Sequence, residues 1–504
     1  MGAITWTTPL RVDVDEAWRD VVTSFANDLR VALGWDVVIG AGDDAQIVVR
    51  RVADLAPEEF QLVVDDQTVI EASTATGVAH ALTVLRQMGP AALWSVEPRT
   101  LVSIELDRAK VHDVPAFGWR GVHLDVARHF WNVDAVCRLI DLAAAHRLNR
   151  LHLHLNDDQG WRVEVPGWPR LTEVGAWRAS SPLGHEEDGR DDHAPHGGYY
   201  SAADLERIRA HAARRFVVIV PEIDLPGHAQ AVLAGYPELG NGAAPVEVWT
   251  RWGISEHVLN PGEGALAFAE EVVTYVASLF PESPVHIGGD ECPTAEWERS
   301  QAARAIMEAN GFVEARQLQG LFTQRLSRAL ALAGHEVVAW DEVLDATVPD
   351  GTLIAAWRDS AKGVEAAERG LDVVMAPMQS LYFDWLNSSE PGEPVAQARQ
   401  PFVTPWEKVY GFAVVPPGLD PELHHHVRGA QAQLWTEYIA TRDHLDYMAF
   451  PRLAAFAEVV WGTATTAADF RVRLEEHLER LTAMGVRYRP LDPPSPEQHV
   501  LDHV

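Results

Sequence analysis

The sequence contains very little cysteine and no long apolar run. Cys137 and Cys292 are the two cysteines among 504 residues, which excludes a disulfide framework and a cysteine-ligated zinc site. No stretch of about 18 apolar residues is present, so we predict no membrane-spanning helix. The first residues, MGAITWTTPLRVDVDE, do not combine a basic segment with an apolar core, so no signal peptide is visible. We expect a cytoplasmic protein, or a secreted one if a signal peptide has been removed.

Positive charge is also scarce. Lys and Arg total 41 against 73 Asp and Glu, which gives a formal net charge of −32. This balance argues against nucleic acid or an anionic membrane surface as a partner. It leaves small neutral or cationic ligands open. At 504 residues the chain is long enough for one large barrel domain with a smaller companion domain.

Residues 1–113 are predicted to form a small α+β domain. Short strands are expected at 46–50, 60–64 and 68–72, and the last two are separated by a polar turn that is typical of a hairpin. Apolar residues at helical spacing predict a helix over 76–88, which a following Gly-Pro pair ends. No group of catalytic side chains stands out here, so we expect a scaffold role.

The pattern of predicted secondary structure changes after residues 114–118, which indicates a second domain, 114–504. Apolar strands now alternate with amphipathic helices, and polar or aromatic residues gather after the strands. Near-continuous apolar strands indicate burial on both faces, as in a parallel sheet. Eight such strands predict an α/β fold, a (β/α)8 TIM barrel with its active face at the C-terminal ends of the strands. The predicted strands are 121–127, 150–156, 217–223, 284–287, 337–340, 353–357, 372–375 and 429–434.

The segment HIGGDE, residues 286–291, is the centre of the functional prediction. Two glycines allow the backbone to bend where a buried strand ends, and the bend can place Asp290 and Glu291 in one cleft. Two carboxylates in a partly buried cleft cannot both ionise freely, so one is expected to keep its proton and act as a general acid. Taken alone, the pair has a simpler interpretation, because acids are also favoured at the start of a helix.

Six blocks of the sequence carry a family resemblance. They are RGVHLDVARHF, RLHLHLNDDQGWR, PEIDLPGH, HIGGDE, the segment around Tyr382-Phe383-Asp384 and the segment around Trp435-Thr436-Glu437. In this order they resemble glycoside hydrolase family twenty, the β-N-acetylhexosaminidases, and residues 1–113 resemble the small non-catalytic domain of that family. The resemblance implies exo-acting, retaining removal of terminal N-acetylglucosamine or N-acetylgalactosamine. The 2-acetamido oxygen of the substrate would attack the anomeric carbon and form an oxazolinium-like intermediate.

The resemblance also assigns catalytic roles, and it implies neither a metal nor an organic cofactor. Glu291 would protonate the glycosidic oxygen, and Asp290 would accept a hydrogen bond from the acetamide N–H. Tyr382 would donate its hydroxyl to the acetamide carbonyl and hold the attacking oxygen in place. Asp157 and His228 would form a relay to Glu291, although a histidine after Pro-Gly also fits a purely structural role.

Substrate contacts follow from the same resemblance. Aromatic walls around the N-acetyl group would restrict it to its reactive pose, although barrel packing is the alternative for each tryptophan. The predicted wall residues are Trp340, Trp357 and Trp435, with Trp406 as a further stacking residue. The sugar hydroxyls would be bound by three charged side chains, which are Arg128, Asp384 and Glu437.

Two other functions stay open. A non-catalytic amino-sugar-binding barrel would keep the aromatic walls without turnover. A retaining glycosidase with an enzyme-borne nucleophile would form a covalent glycosyl-enzyme instead. The expected partner is a small oligosaccharide or a glycoconjugate, whereas the oligomeric state and the gluco or galacto preference are not set by the sequence. Residues 183–196, rich in His and acids, are expected to form a solvated loop, because no ligand spacing there supports a metal site.

Overall fold

The structure is a computed structural model that describes residues 2–40, 42–242, 244–397 and 402–492. These residues form an N-terminal α+β region and a closed parallel barrel. The last part of the predicted barrel domain, 493–504, lies outside the described residues. None of the helices described is both long and apolar enough to cross a membrane.

The N-terminal region contains eight strands and two α-helices among its described residues. The strands are β1 Ala3–Thr7, β2 Leu10–Asp13, β3 Val37–Ile39, β4 Ile47–Arg51, β5 Phe60–Val64, β6 Thr68–Ala72, β7 Ser103–Asp107 and β8 Ala109–Asp113. The helices are α1 Arg19–Leu33 and α2 Ala75–Met88. Six strands form one sheet in the order β3-β2-β4-β6-β5-β8, and β1 pairs with β7 separately.

The N-terminal sheet is covered by its two helices. Side chains along β5 and β6 alternate between buried and half-buried, the period-2 pattern of a sheet with one face against a core. Helix α1 buries Val22, Phe25 and Leu29 along one stripe, which is the spacing that an amphipathic helix needs to cover that face. It ends at Gly34, whose φ of 68° lies in the left-handed region that glycine adopts without strain.

The rest of the described chain forms the barrel and its connections. The strands are β9 Trp119–Asp125, β10 Arg150–His154, β11 Asn156–Asp157, β12 Gly160–Trp161, β13 Trp177–Arg178, β14 Pro182–Leu183, β15 Arg190–Asp191, β16 His196–Gly197, β17 Val218–Glu222, β18 Val285–His286, β19 Val337–Trp340, β20 Leu353–Ala356, β21 Val373–Met375 and β22 Val427–Ala432. The helices are α3 Val133–Ala145, α4 Arg170–Glu173, α5 Ala202–Arg214, α6 Gln230–Gly235, α7 Glu263–Leu279, α8 Ala295–Arg299, α9 Gln301–Asn310, α10 Gln319–Leu332, α11 Ser360–Glu368, α12 Met378–Leu381, α13 Trp406–Tyr410, α14 Arg442–Ala449, α15 Arg452–Trp461 and α16 Ala467–Ala483.

Eight parallel strands close the barrel in the order β10-β17-β18-β19-β20-β21-β22-β9. Every residue of β9 is buried, as expected for a strand with packed side chains inside the barrel and helices outside it. Because all eight strands are parallel, their C-terminal ends meet at one face. The connection from β19 to β20 contains a short 3-10 helix, Asp341–Asp345, in place of an α-helix, so this segment stays close to that face.

A buried charged cluster joins the N-terminal region to the barrel. Arg120 of β9 is fully buried and donates to the carboxylate of Glu58, to the carbonyl of Arg147 at 3.0 Å and to that of Phe117 at 2.8 Å. His80 of α2 lies 2.9 Å from Glu58 Oε2. Burial opposes the charge of Glu58, but His80 and Arg120 outweigh it and lower the pKa of Glu58 to about 2. Each nitrogen of this guanidinium therefore has an acceptor.

The predicted TIM barrel with a small preceding α+β unit is confirmed. All eight predicted barrel strands are present, with ends that differ by a few residues from the prediction. The predicted hairpin is β5 and β6, and the predicted helix over 76–88 is α2. Several N-terminal elements were not predicted, which are β1, β2, β3, α1, β7 and β8.

Candidate active site

The HIGGDE segment forms a tight turn at the end of β18. Gly288 and Gly289 have φ values of 66° and 93°, and Glu291 has a φ of 45°, a left-handed value that is strained for any residue with a Cβ. A Cβ on Gly288 would lie 1.8 Å from Asp224 Oδ1, so the side chain of this glycine cannot be enlarged. The expected bend after the glycines is present.

Three side chains from other segments hold this turn. Asp224 Oδ1 accepts the Gly289 N–H at 2.8 Å, and Gln319 Nε2 donates to the Gly289 carbonyl at 2.6 Å. Glu342, from the 3-10 segment after β19, accepts the Glu291 N–H at 3.1 Å. These bonds offset the strain at Glu291, because each satisfies a backbone group that the turn removes from the barrel ladder.

Asp290 is 7% exposed and lies beside Asp224. Burial, and then repulsion from Asp224, raise the pKa of Asp290 well above its ordinary value. Burial likewise raises the pKa of Asp224 to about 7, although His228 opposes the shift. Two carboxyl groups in this position cannot both be charged at low cost, so near neutral pH the pair retains a proton.

Glu291 lies closer to solvent, with 35% of its side chain exposed. Its Oε2 is 3.8 Å from His228 Nε2, while Nδ1 of the same ring is 3.1 Å from Asp157 Oδ1. Burial opposes the charge of His228, but Asp157 and Asp224 outweigh it and raise the pKa of His228 well above its ordinary value. The structure thus places Asp157, His228 and Glu291 in a chain, as the resemblance implies.

The chain continues into the barrel through residues that sequence reasoning missed. Asp157 Oδ2 is 2.7 Å from His154 Nε2, and the other nitrogen of that ring is 2.5 Å from Glu222 Oε2. Burial opposes the charge of His154, but Glu222 and Asp157 raise its pKa to about 10. Glu222 Oε1 also accepts the indole N–H of Trp340 at 2.7 Å. The alternating histidines of RLHLHL were the available sequence signal.

Groups of three potential metal ligands occur within this network. One combines His152, Glu222 and His286, and another combines Asp224, His228 and Asp290. Their ligand atoms lie within 4.8 Å of one another. Glu222 already contacts two imidazoles at 3.0 Å in the first group, so the described side chains pair with one another. The absence of a metal requirement stays a prediction.

Four aromatic rings from the ends of β19, β20, β21 and β22 form one cluster. Trp357 and Tyr382 are nearly parallel with ring centroids 6.1 Å apart, and Trp435 lies 6.3 Å from Tyr382 and 6.1 Å from Trp340. Burial, and then the charge of Asp290, raise the pKa of the Tyr382 hydroxyl, so that it remains a proton donor. Trp385, which was not predicted, also packs here.

The charged predicted residues are linked to Trp435 through Arg128. The guanidinium of Arg128 is 5.1 Å from the ring of Trp435, and its Nη atoms lie 2.8 Å from Asp157 Oδ2 and 3.8 Å from Glu437 Oε1. Burial, and then the charge of Glu437, raise the pKa of Asp384 well above its ordinary value. These contacts bring the predicted polar residues into one cleft with the aromatic cluster.

Several buried polar atoms of this cleft have no hydrogen-bond partner in the described part of the chain. They are Asp290 Oδ1, Asp384 Oδ1, Glu437 Oε2, and the indole nitrogens of Trp357 and Trp435. Buried polar groups are normally paired, and each unpaired one costs about 1–3 kcal/mol. Their concentration beside the aromatic cluster marks a site for a polar ligand with a small apolar part.

One predicted residue is not part of the aromatic cluster. Trp406 lies on α13 with its ring 5.5 Å from Phe470 in the general core, and its role as a further stacking residue stays a prediction. The loop 183–196 is solvated as expected, since none of its residues is buried, and β14 and β15 pair there as a hairpin. Within it, Glu186 accepts the Trp252 N–H at 3.1 Å. His185 lies 5.5 Å from the ring of Tyr438, the residue after Glu437.

Comparison with protein families adds to this geometry. Residues 117–464 match the model described as glycosyl hydrolase family 20, catalytic domain, and residues 1–113 match its domain 2. The chain belongs to glycosyl hydrolase family 20. Its predicted membership of this family is therefore confirmed, and the chain spans about three fifths of the length of the Porphyromonas gingivalis relative that it matches.

Known members of glycosyl hydrolase family 20 resemble the chain over most of its length. A beta-hexosaminidase of Porphyromonas gingivalis is 35% identical over 495 residues, which is 96% of this chain and 61% of that protein. An exo beta-N-acetylglucosaminidase of Vibrio harveyi, solved in complex with N-acetylglucosamine, superposes with a TM-score of 0.86 at 30% identity, over 97% of this chain and 76% of that one. A beta-N-acetylhexosaminidase of Streptomyces coelicolor A3(2) superposes with a TM-score of 0.83 at 30% sequence identity, over 98% of this chain and 95% of that one.

Proposed function

We propose that the protein is an exo-acting, retaining β-N-acetylhexosaminidase that removes terminal N-acetylglucosamine or N-acetylgalactosamine from an oligosaccharide or glycoconjugate. The observation that carries this proposal is Asp290, which has an unpaired Oδ1 and lies close enough to Tyr382 of the aromatic cluster to raise the pKa of its hydroxyl. An acetamido group has an apolar methyl for this cluster and an N–H for such an acceptor. The Vibrio harveyi relative bound to N-acetylglucosamine supports this substrate class.

In this proposal the substrate supplies the nucleophile. The acetamide N–H donates to Asp290, and the hydroxyl of Tyr382 donates to the acetamide carbonyl, which fixes that oxygen below the anomeric carbon. Positive charge develops on the acetamide nitrogen as the oxygen attacks. The Asp224–Asp290 pair can stabilise this positive charge, because moving the retained proton onto Asp224 leaves Asp290 negative next to the acetamide nitrogen.

Glu291 acts on the leaving group. It donates a proton to the glycosidic oxygen and later takes one from the water that opens the intermediate. Its larger exposure compared with Asp290 fits a group that works at the mouth, where the aglycone and the water enter. His228, held by Asp157, positions Glu291 and places a positive charge near it.

Recognition of the sugar ring rests on the polar side of the cleft. Arg128 donates to sugar hydroxyls, and Asp384 and Glu437 accept from them through their unpaired oxygens. The 114–504 barrel domain carries all of these residues, and we propose that residues 1–113 form a non-catalytic unit beside it. The excess of acid over base supports a partner other than nucleic acid.

The decisive experiment compares aryl β-N-acetylglucosaminide with aryl β-glucoside, using the purified chain. We expect rapid release from the N-acetyl substrate alone, because the plain glucoside lacks the nucleophile. Equal release from both would refute substrate assistance, and trapping of a covalent glycosyl-enzyme would favour an enzyme-borne nucleophile. Binding of N-acetylglucosamine without any hydrolysis would favour a non-catalytic amino-sugar-binding barrel.

A further inference from the structure

A large cavity lies at the opposite end of the barrel from the aromatic cleft. It has a volume of about 530 Å³ and is enclosed by α1 and α2 of the N-terminal region and by α3 and the end of α5 of the barrel. Leu148 and Phe216, which line it, stand just before β10 and β17. The cavity therefore borders the end of the barrel where strands begin, and none of the proposed catalytic residues lines it.

The charge of this cavity is the reverse of that of the chain. Its lining contains two acids, Asp28 and Asp141, whereas in the whole sequence 73 acids outnumber 41 Lys and Arg. We call the cavity the arginine crevice after the six arginines that line it, which are Arg86, Arg138, Arg147, Arg214, Arg215 and Arg442.

Part of this positive charge is already neutralised. Arg215 contacts both Asp28, at 3.0 Å, and Asp141, at 2.6 Å, while Arg86 shares Asp28 at 2.7 Å. Arg138 and Arg147 pair with acids outside the lining. Arg215 and Arg147 therefore join the two regions of the chain, whereas the ion pairs of Arg86 and Arg138 each lie within one region.

Two arginines are left over. Arg214 and Arg442 lie at the exposed rim of the crevice and have no carboxylate partner in the part of the chain that the structure describes, where Arg442 has only the Gly485 carbonyl at 3.3 Å. Deeper in the crevice, the buried Nε of Arg86 also lacks a hydrogen-bond partner. Buried donors are normally paired, so the unpaired Nε of Arg86, together with two rim arginines that no carboxylate neutralises, indicates a binding site for an anion.

Most of the remaining lining is apolar, and its polar members are Ser24, His80, Thr83 and Ser95. Val21, Phe25 and Leu82 face the crevice from the N-terminal region, and Leu142 and Phe216 face it from the barrel. Pockets of about 300–1,000 Å³ with apolar walls and a few polar groups are typical of small-molecule sites. A bare inorganic anion would leave these walls uncovered.

We propose that the arginine crevice binds a small amphipathic anion, with its apolar body between α1, α2 and α3 and a carboxylate or phosphate head group on Arg214 and Arg442. Planar guanidinium forks match the oxygens of both head groups. Since the crevice separates the two regions of the folded chain, the ligand contacts both and stabilises the folded state over the unfolded one.

Calorimetric titration of the full chain tests the site with four probes, octanoate, octyl phosphate, 1-octanol and inorganic phosphate. We expect either octyl anion to bind at least tenfold more tightly than 1-octanol and inorganic phosphate, and to raise the melting temperature. The octyl anion that binds more tightly identifies the preferred head group, carboxylate or phosphate. Binding of 1-octanol or inorganic phosphate as tight as that of the anions, or no binding of either anion, overturns the proposal.

Variants locate the binding. The double variant Arg214→Gln, Arg442→Gln should weaken the octyl anions at least tenfold while glycosidase activity is unchanged, because neither residue is near the cleft. Arg207→Gln is the control, since Arg207 is exposed on the same helix α5 outside the lining. Thr83→Trp should block the crevice by volume. Unchanged affinity in the double variant overturns the proposal, whether or not Thr83→Trp folds.

Discussion

Buried charge is handled differently at the barrel's active face and at its junction with the N-terminal region. At the junction, every nitrogen of the Arg120 guanidinium has an acceptor, and Glu58 is held ionised between Arg120 and His80. In the cleft, Asp290 and Asp384 keep unpaired oxygens and raised pKa values. A buried charged group whose hydrogen-bond partners all come from the protein is typical of a structural contact. A buried charged group that lacks such partners indicates a place where a ligand completes the pairing.

Asp290→Ala should produce the largest effect on activity. It removes the proposed acceptor of the acetamide N–H, and loss of one positioned electrostatic group costs about 10²–10³ in kcat. The free protein should melt no lower than the original, since an unpaired buried acid has been removed. Kinetics with an aryl β-N-acetylglucosaminide, beside a melting curve, measure both effects. Activity within tenfold of that of the original protein would contradict the view that the unpaired buried acid in the cleft serves ligand binding.

Glu58→Ala should do the reverse, with a large loss of stability and little change in activity per folded molecule. Arg120 is left buried without its carboxylate, which costs about 3 kcal/mol or more. Urea unfolding gives the loss, and kinetics on the folded fraction give the activity. A catalytic defect without destabilisation would show that the junction is not merely structural.

Acid should weaken the same joint. The pKa of Glu58 is lowered from 4.5 to about 2 in the folded state, so its contribution is fully present above the unfolded value and is lost as pH falls through the folded value. Glu58→Gln should lack this term, so its stability should approach that of the original as pH falls from 5 to about 2. A constant difference over this range would contradict the assignment.

Glu342→Ala should cause a smaller loss in kcat, about tenfold, with KM nearly unchanged. It removes the acceptor of the Glu291 N–H, and an unmade hydrogen bond of this kind costs about 1–3 kcal/mol. Glu342→Gln keeps an oxygen in the same place and should retain more activity. Equal losses for the two variants, or an effect on KM alone, would show that Glu342 does not position the turn.

Trp406→Phe should have the smallest effect, with KM within about twofold of the original, because its ring packs against Phe470 instead of the cleft. Trp357→Phe is the matched control, since Trp357 faces Tyr382 and its replacement should raise KM for N-acetyl substrates more. KM measured for both variants on one substrate decides the matter. A larger effect from Trp406 would break the distinction between core and cleft aromatics.

The sequence predicted the barrel well because its strands are continuous apolar runs, and the position of Asp290 and Glu291 followed from the glycines before them. The N-terminal region was harder, since β1 and β8 are short and largely exposed. Trp406 was assigned from residue type, and its packing partner lies 64 positions away in the sequence. The contact of Glu342 with the Glu291 N–H spans 51 positions, and only tertiary structure brings it about.

The left-handed backbone at Glu291 affects how inert versions of the protein are best made. At a φ of 45° glycine is relaxed, whereas alanine retains a strain of about 1 kcal/mol. Glu291→Gly is therefore the better route to a folded chain that holds amino sugars without cutting them. With its sugar-facing surfaces untouched, such a protein would serve as a reagent for capturing and displaying glycan ends.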